Sequence, residues 1–236
     1  MAVSFGTVLA DAFRVLTFRR PSPAMASDWP VYFAFGICVT WLAGIGRYWD
    51  NPRAEWWQHA GLGSLGYVVC LAALLWLLIL PLRPQRWSYK NVLLFVMMTS
   101  PPALLYAIPV ERFMDLSQAQ SANALFLFLV ALWRVALLVW FLDSVAGLSG
   151  GSILVAAFLP LTLIVVVLAV LNLEHVVFEM MAGIRAERHT PNDLAYFVVV
   201  ALAYASILAA PFLLLAYVWQ VVRARRPRAD TTTPDF

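Results

Sequence analysis

Charged residues are what this sequence has least of. Only 12% of its 236 residues are charged and 63% are hydrophobic, whereas an ordinary globular domain carries roughly 25% charged residues. The mean hydropathy is +0.80. A soluble fold has too little interior to enclose this much apolar surface, so lipid must cover part of it. We therefore predict an all-α integral membrane protein.

Lysine, cysteine and histidine are scarce as well. Lys90 is the one lysine, and the chain has two cysteines and three histidines. The arginines are scattered beside apolar stretches rather than clustered, which does not favour a nucleic-acid partner. Cys38 and Cys70 fall inside predicted spans and define neither a disulfide framework nor a metal motif. There is no P-loop and no HExxH pair, and we expect no cofactor.

The apolar residues fall into about six stretches, each near or above the roughly 20 residues that cross a bilayer. Tryptophan and tyrosine residues lie near their ends, as is typical of interface anchors. Together they predict a transmembrane domain over residues 29–226. The six predicted spans are Trp29–Ile45, Gly61–Leu82, Asn91–Val110, Ala122–Leu142, Ser152–Leu173 and Leu194–Val222.

The flanking regions differ from this domain. Residues 1–28 contain a helical pattern of apolar residues followed by the letters FRRP, which predicts an amphipathic helix lying in the membrane interface. Residues 227–236 are polar, and we predict a disordered tail. The apolar positions of the N-terminal pattern are Phe5, Val8, Leu9, Ala12, Phe13 and Leu16.

The last two spans predict a long helical hairpin. Helix-forming residues continue from Ser152 past Leu173 without a strong breaker until Thr190. The letters TPND (190–193) then suit the start of a helix, with Thr190 as the N-cap and Pro191 at the first helical position. We expect two antiparallel helices that reach beyond the membrane.

The distribution of basic residues predicts the orientation. With both termini inside, the cytoplasmic segments hold ten arginines and lysines and the outer loops hold five, with Arg134 inside a span. Positive charge is concentrated on the cytoplasmic side of membrane proteins. We predict both termini in the cytoplasm of a cell with a bacterial-type inner membrane.

A double proline interrupts the third predicted span. Pro101 and Pro102 follow Thr99 and Ser100 in an otherwise apolar stretch, and each proline removes a backbone donor and collides with the carbonyl four residues earlier. One interpretation is a discontinuous helix that lines a substrate pathway. The alternative, which we favour, is a packing kink whose loosened backbone groups are satisfied by Thr99 and Ser100.

Arg134 is the residue whose burial in a membrane costs most, about 2.5–3.5 kcal/mol at the centre of a span. It must face the interior of the bundle or a wet cavity. Glu111 and Asp143 are the acidic candidates for a partner, and the carbonyls near Met97 and Met98 are a third. We favour a structural cluster over the alternative of a site for an anion or a lipid headgroup.

The densest group of ionisable residues lies after the fifth span. Asn172, His175 and Glu179 share one helical face, and the predicted topology puts His59 and Glu55 on the same side of the membrane. We interpret these residues as an interfacial polar face. A metal or proton-handling site is the alternative.

The layout, with an amphipathic N-terminal segment ending near LTFRRP and then short-looped spans, resembles that of bacterial proteins of the Yip1 type. The resemblance is architectural and implies no functional residue. As function we predict a non-enzymatic scaffold, accessory or assembly subunit that binds membrane lipids, another membrane protein or a second copy of itself. The alternatives are a small transporter or channel-like permease subunit using Pro101, Pro102 and Arg134, and a metal-dependent enzyme using His175 and Glu179.

Overall fold

The computed structural model describes residues 3–49, 54–171 and 194–225, and these ranges contain helices and no strand. Three 3-10 helices accompany the α-helices, at Leu80–Leu82, Pro101–Ala107 and Val110–Arg112. The α-helices are α1 (Phe5–Leu16), α2 (Ala24–Ser27), α3 (Trp29–Tyr48), α4 (Trp56–His59), α5 (Leu62–Ile79), α6 (Tyr89–Met98), α7 (Leu116–Ser144), α8 (Gly151–Val170) and α9 (Leu194–Arg225).

Five helical stretches in the described ranges are long and apolar enough to cross a membrane. They are Trp29–Tyr48, Leu62–Leu82, Ser121–Ser144, Gly151–Val170 and Val200–Arg225. Each coincides with one of the six predicted spans. The predictions of an all-helical fold and of an integral membrane protein are therefore confirmed.

The third predicted span, Asn91–Val110, differs from the other five because it is not one helix. The helix α6 ends at Met98, and a 3-10 helix begins at Pro101 and ends at Ala107. Two adjacent prolines cannot donate to the preceding turn, so the α-helix cannot continue through them. The tighter 3-10 geometry takes the chain onward.

The broken segment nevertheless follows α3 along its whole length. The α3 helix has 20 residues and is therefore about 30 Å long, which matches the hydrocarbon thickness of a bilayer. Four contacts mark the course of the segment along it: Lys90 over the Trp29 ring (5.4 Å), Met97 beside Gly36, Ser100 hydrogen-bonded to Thr40 (2.9 Å), and the Ala107 carbonyl bonded to Trp49 (3.0 Å).

Glycines on α3 permit this close approach. A methyl group placed on Gly36 would lie 2.7 Å from Cβ of Met97, and one on Gly46 would lie 2.6 Å from Cβ of Ala107. Both separations are shorter than carbon atoms tolerate. The backbones of α3 and the broken segment are therefore packed as tightly as the absence of a side chain allows, which is typical of helix contacts in membranes.

The α6 helix forms the centre of the bundle. Every residue from Val92 to Met98 is buried, and a helix that is apolar on all sides is expected in such a position. The Phe95 ring stacks on the Phe141 ring of α7 at 4.1 Å. The double-proline segment thus continues directly out of the core.

The N-terminal helix α1 packs against this core with part of its apolar surface. Val8, Ala12 and Val15 are buried in a cluster with Tyr32 of α3 and with Leu94 and Met98 of α6. Phe5, Leu9 and Phe13 are exposed. The predicted apolar face is therefore divided between a side that contacts protein and a side that does not.

The termini of the described chain meet at one end of the bundle. Arg20 donates to the Ser144 carbonyl at 3.0 Å, and the Gln85 amide donates to the Ala146 carbonyl at 2.7 Å. Gly151 at the start of α8 lies beside Gln220 near the end of α9, so these two helices are antiparallel. Residues 172–193, which contain the predicted hairpin connection, and the tail 226–236 lie outside the described residues.

Candidate functional site

The broken segment satisfies its own backbone groups near the prolines. The Thr99 hydroxyl donates to the Val96 carbonyl at 2.7 Å, and the Ser100 amide donates to the Met97 carbonyl at 3.0 Å. Thr99 and Ser100 are both buried. Carbonyls released by a proline break in a membrane helix need such local partners. The Met97 carbonyl, one of the partners considered for Arg134, is thus already bound.

Arg134 contacts an aromatic ring, and no carboxylate pairs with it in the part of the chain that the structure describes. Its guanidinium lies 5.7 Å from the centre of the Tyr67 ring of α5. Its Nη2 atom is buried and donates no hydrogen bond. Asp143 lies on the same helix nine residues further on, is exposed and forms no ion pair with Arg134. Glu111 lies in the 3-10 helix Val110–Arg112.

A second arginine, Arg47 in the last turn of α3, is in the same situation. Its guanidinium lies 4.6 Å from the centre of the Tyr106 ring, and its Nε atom is buried without an acceptor among the described residues. Tyr106 belongs to the 3-10 helix that follows the double proline. It interacts electrostatically with Arg47, Arg134 and Tyr67, so the four side chains form one group.

We call Arg47, Arg134, Tyr67 and Tyr106 the arginine–tyrosine cluster. Helix direction explains why its two arginines converge. In an α-helix the side chains tilt toward the N-terminus. The α7 helix starts at the end of the bundle where α3 finishes, since Arg112, just before α7, stacks on Trp49, just after α3. Arg134 therefore leans toward that end, whereas Arg47 leans back into the bundle.

Sequence reasoning missed Arg47 because it lies among residues typical of a span end, in the letters GRYW. A basic residue beside aromatic anchors predicts a topology signal rather than a ligand site. Its only distinguishing signal is Gly46 immediately before it, which lets Ala107, and therefore Tyr106, approach closely. That signal has meaning only once the packing partner is known.

The residues considered for a metal or proton-handling site are separated or lie outside the described chain. His59 is the last residue of the short helix α4 and is half-buried, while Glu55 precedes that helix and is exposed. The Glu55 amide donates to the Gln58 side chain at 2.8 Å, which stabilises the start of α4. Asn172, His175 and Glu179 lie in the undescribed range 172–193. The described ranges hold no group of three or more potential metal ligands.

Two glycine patterns known from soluble enzymes also occur, in positions that do not support their usual chemistry. Residues 61–66 read GLGSLG at the start of α5. In the described residues 54–60 the short helix α4 precedes them, whereas a dinucleotide-binding loop follows a strand. Residues 147–151 read GLSGG and form the turn between α7 and α8. A catalytic serine elbow instead joins a strand to a helix.

Asp11 is a buried carboxylate that the sequence analysis did not single out. It is 1% exposed and accepts hydrogen bonds from the Tyr32 hydroxyl (2.6 Å), the Ser22 amide (2.9 Å) and Arg14 (3.0 Å). The Ser22 hydroxyl is a fourth donor. Burial acts to raise the pKa of Asp11, but these donors outweigh burial and lower the pKa below its usual value.

No family model, no curated protein and no solved structure matches this chain. The functional conclusions therefore rest on the residues and their geometry.

Proposed function

We propose that this protein is a non-enzymatic scaffold or accessory subunit of a bacterial-type inner membrane, and that it binds lipid or another membrane protein through its helix faces. In this proposal the chain crosses the membrane six times, with the broken Asn91–Val110 segment as the third crossing. The N-terminal helix α1 lies at the cytoplasmic interface with Phe5 and Phe13 toward lipid.

The single observation that carries the proposal is the closed packing of the double-proline segment. A transport pathway built on a broken helix uses freed backbone groups that line a cavity. Here the Ser100 hydroxyl bonds to Thr40, the Thr99 hydroxyl bonds to the Val96 carbonyl, and Gly36 contacts Met97. These groups are used for packing, which favours a structural role for the break.

Two further observations support the orientation and the number of crossings. The broken segment covers the same length as α3, from Trp29 to Trp49, so it is long enough for a crossing. The end of the bundle that holds both termini of the described chain carries most of the basic residues, and positive charge favours the cytoplasmic side. These residues are Arg19, Arg20, Arg83, Arg86, Lys90, Arg223 and Arg225.

The α9 helix offers an exposed apolar surface for such binding. It packs mainly on α8 and leaves a row of large apolar side chains exposed, among them Leu208 at 70%, Phe212 at 73% and Leu215 at 69%. In a bilayer this row contacts either lipid or the helix of another protein. Both occupants are consistent with an accessory subunit.

A photoreactive amino acid at Phe212 tests this role in native membranes. For an accessory subunit we expect a discrete protein adduct at Phe212. The adduct should be absent when the same probe replaces Leu77 of α5, which is also exposed, at 57%. Purified protein in vesicles provides the opposing test. Saturable anion flux that disappears in Arg134→Gln would replace the accessory role with transport.

A further inference from the structure

We propose that the arginine–tyrosine cluster binds one phosphate-type oxyanion, held between the guanidinium groups of Arg47 and Arg134 with the Tyr106 hydroxyl as a further donor. The cluster lies where α3, α5, α7 and the 3-10 helix Pro101–Ala107 meet. The inference does not depend on the accessory role, because a scaffold and a transporter can both use such a site.

The first argument is the state of the guanidinium nitrogens. Nε of Arg47 and Nη2 of Arg134 are buried and have no hydrogen-bond acceptor among the residues that the structure describes. A guanidinium that stacks on a ring satisfies its charge in part, but its N–H groups point outward in the guanidinium plane and remain available. Buried donors of this kind are rarely left without a partner.

The second argument is the balance of charge. Within the described ranges the one ion pair joins Arg14 to Asp11, far from the cluster in the fold. Both arginines interact electrostatically with Tyr106, and among the side chains that the structure describes no carboxylate pairs with either of them. Like charges in a low-dielectric region repel, and an anion between them converts this repulsion into attraction.

The third argument selects the ligand class. An arginine presents a planar fork of donors that matches phosphate and carboxylate geometry. Two forks from different helices, together with a phenol, require an acceptor with oxygens pointing in several directions. A tetrahedral phosphate has them, whereas a carboxylate has two oxygens in one plane.

The position of the cluster shows how a ligand enters. Tyr67 is 52% exposed, so this edge of the cluster is accessible from outside the protein. Tyr67 lies on the second turn of α5, and Arg47 in the last turn of α3. Both are near one end of the bundle, the side from which a lipid headgroup approaches. A phospholipid headgroup and free phosphate share the chemistry proposed, and the experiment separates them.

The first part of the experiment measures lipid binding. The full chain is placed in phosphatidylcholine nanodiscs that contain a small fraction of phosphatidylglycerol. Native mass spectrometry then counts the phosphatidylglycerol molecules that remain on the protein after release. The variants are Arg47→Gln, Arg134→Gln and Tyr106→Phe. The matched control is Arg223→Gln, because Arg223 also stacks on an aromatic ring (Trp219, 5.3 Å) but is exposed at the opposite end of the bundle.

Inorganic phosphate is the probe of the second arm. The melting temperature of the protein in an uncharged detergent is measured in phosphate and in chloride at equal ionic strength. Loss of one guanidinium from a charge-assisted contact is expected to weaken binding about tenfold or more. The control variant should bind as the unchanged chain does.

Retention of one phosphatidylglycerol that is lost in the arginine variants supports the site with a lipid ligand. A phosphate-specific rise in melting temperature without lipid retention, again lost in these variants, supports it with free phosphate. If Arg134→Gln does not fold, Arg47→Gln near the helix end and Tyr106→Phe decide the outcome. A folded Arg47→Gln variant that matches the unchanged chain in both arms overturns the proposal, and so does the absence of both responses in the unchanged chain.

Discussion

Asp11 is a buried ionisable side chain and Arg134 a half-buried one, and the protein surrounds them differently. The carboxylate of Asp11 accepts hydrogen bonds from Ser22, Tyr32 and Arg14. These donors stabilise its negative charge. The guanidinium of Arg134 has an aromatic ring and a buried nitrogen without an acceptor. A carboxylate with several protein donors is typical of a structural contact. A guanidinium nitrogen without an acceptor is consistent with the anion site proposed above.

The substitution Asp11→Asn tests the structural contact. An amide keeps one acceptor oxygen but directs an NH2 group at donors such as the Tyr32 hydroxyl, so buried donors lose their acceptor. Leaving such groups unsatisfied costs about 1–3 kcal/mol. We expect a clear fall in melting temperature in detergent and faster proteolysis of the N-terminal helix. Asp143→Asn is the control, since Asp143 is exposed, and an equal effect of both substitutions would contradict the role of Asp11.

The same carboxylate predicts a pH dependence. The pKa of Asp11 is lower in the folded protein than its usual value, which is about 3.9 in an unfolded chain. Its contribution to stability is therefore complete above that value and is lost as the pH falls through the lower, folded pKa. The unchanged protein should lose stability below about pH 4 more steeply than Asp11→Asn. Parallel pH profiles for the two proteins would show that the carboxylate does not carry this dependence.

At the scale of the elements, the broken segment depends on α3. It has lost part of its helical hydrogen bonding at Pro101 and Pro102, and it regains stability by packing against a helix surface made of small residues. Gly36, Thr40 and Gly46 lie along that surface. The prolines interrupt the helix, and the glycines of α3 allow the interrupted segment to pack closely enough to be stable.

The substitution Gly36→Ala tests this packing. The added methyl group would lie 2.7 Å from Cβ of Met97, a backbone-fixed atom that cannot move without displacing the end of α6. Overpacking of this kind costs about 1–3 kcal/mol, so we expect a lower melting temperature in detergent.

Gly66→Ala is the matched control for this change. Gly66 also lies in a membrane-spanning helix, but a methyl group there meets no atom within 4 Å. Alanine is the better helix former by about 0.5–1 kcal/mol, so Gly66→Ala should be neutral or slightly stabilising. Equal melting temperatures for the two variants would show that α3 and the broken segment are not in tight contact.

These two elements also show how far the sequence alone predicts the structure. The long helices follow from hydropathy over about 20 residues, a local property that lipid enforces, and the break follows from Pro101 and Pro102. The group formed by Arg47, Arg134, Tyr67 and Tyr106 does not follow, because its members lie on four elements and meet only through packing. The local sequence of α3 does not indicate which of its sides faces the broken segment.

At the scale of the whole molecule, the proposed third crossing, made by the broken segment, decides on which side of the membrane the ends of every later helix lie. If the segment from Tyr89 to Arg112 returns to its starting side, then α7, α8 and α9 all change orientation, and the two ends of the chain lie on opposite sides. The contacts with α3 at Trp29 and at Trp49 favour a full crossing. The number of basic residues favours the same arrangement, since it groups them at one end.

Labelling of single cysteines in intact cells tests the crossing. Cys38 and Cys70 are exposed and are first replaced by alanine, after which Gln85→Cys and Met114→Cys are made separately. Both positions are exposed, one before the broken segment and one after it. A membrane-impermeant maleimide should label Met114→Cys in intact cells and Gln85→Cys only after the inner membrane is opened. Labelling of both positions under the same condition would show that the broken segment does not cross the membrane.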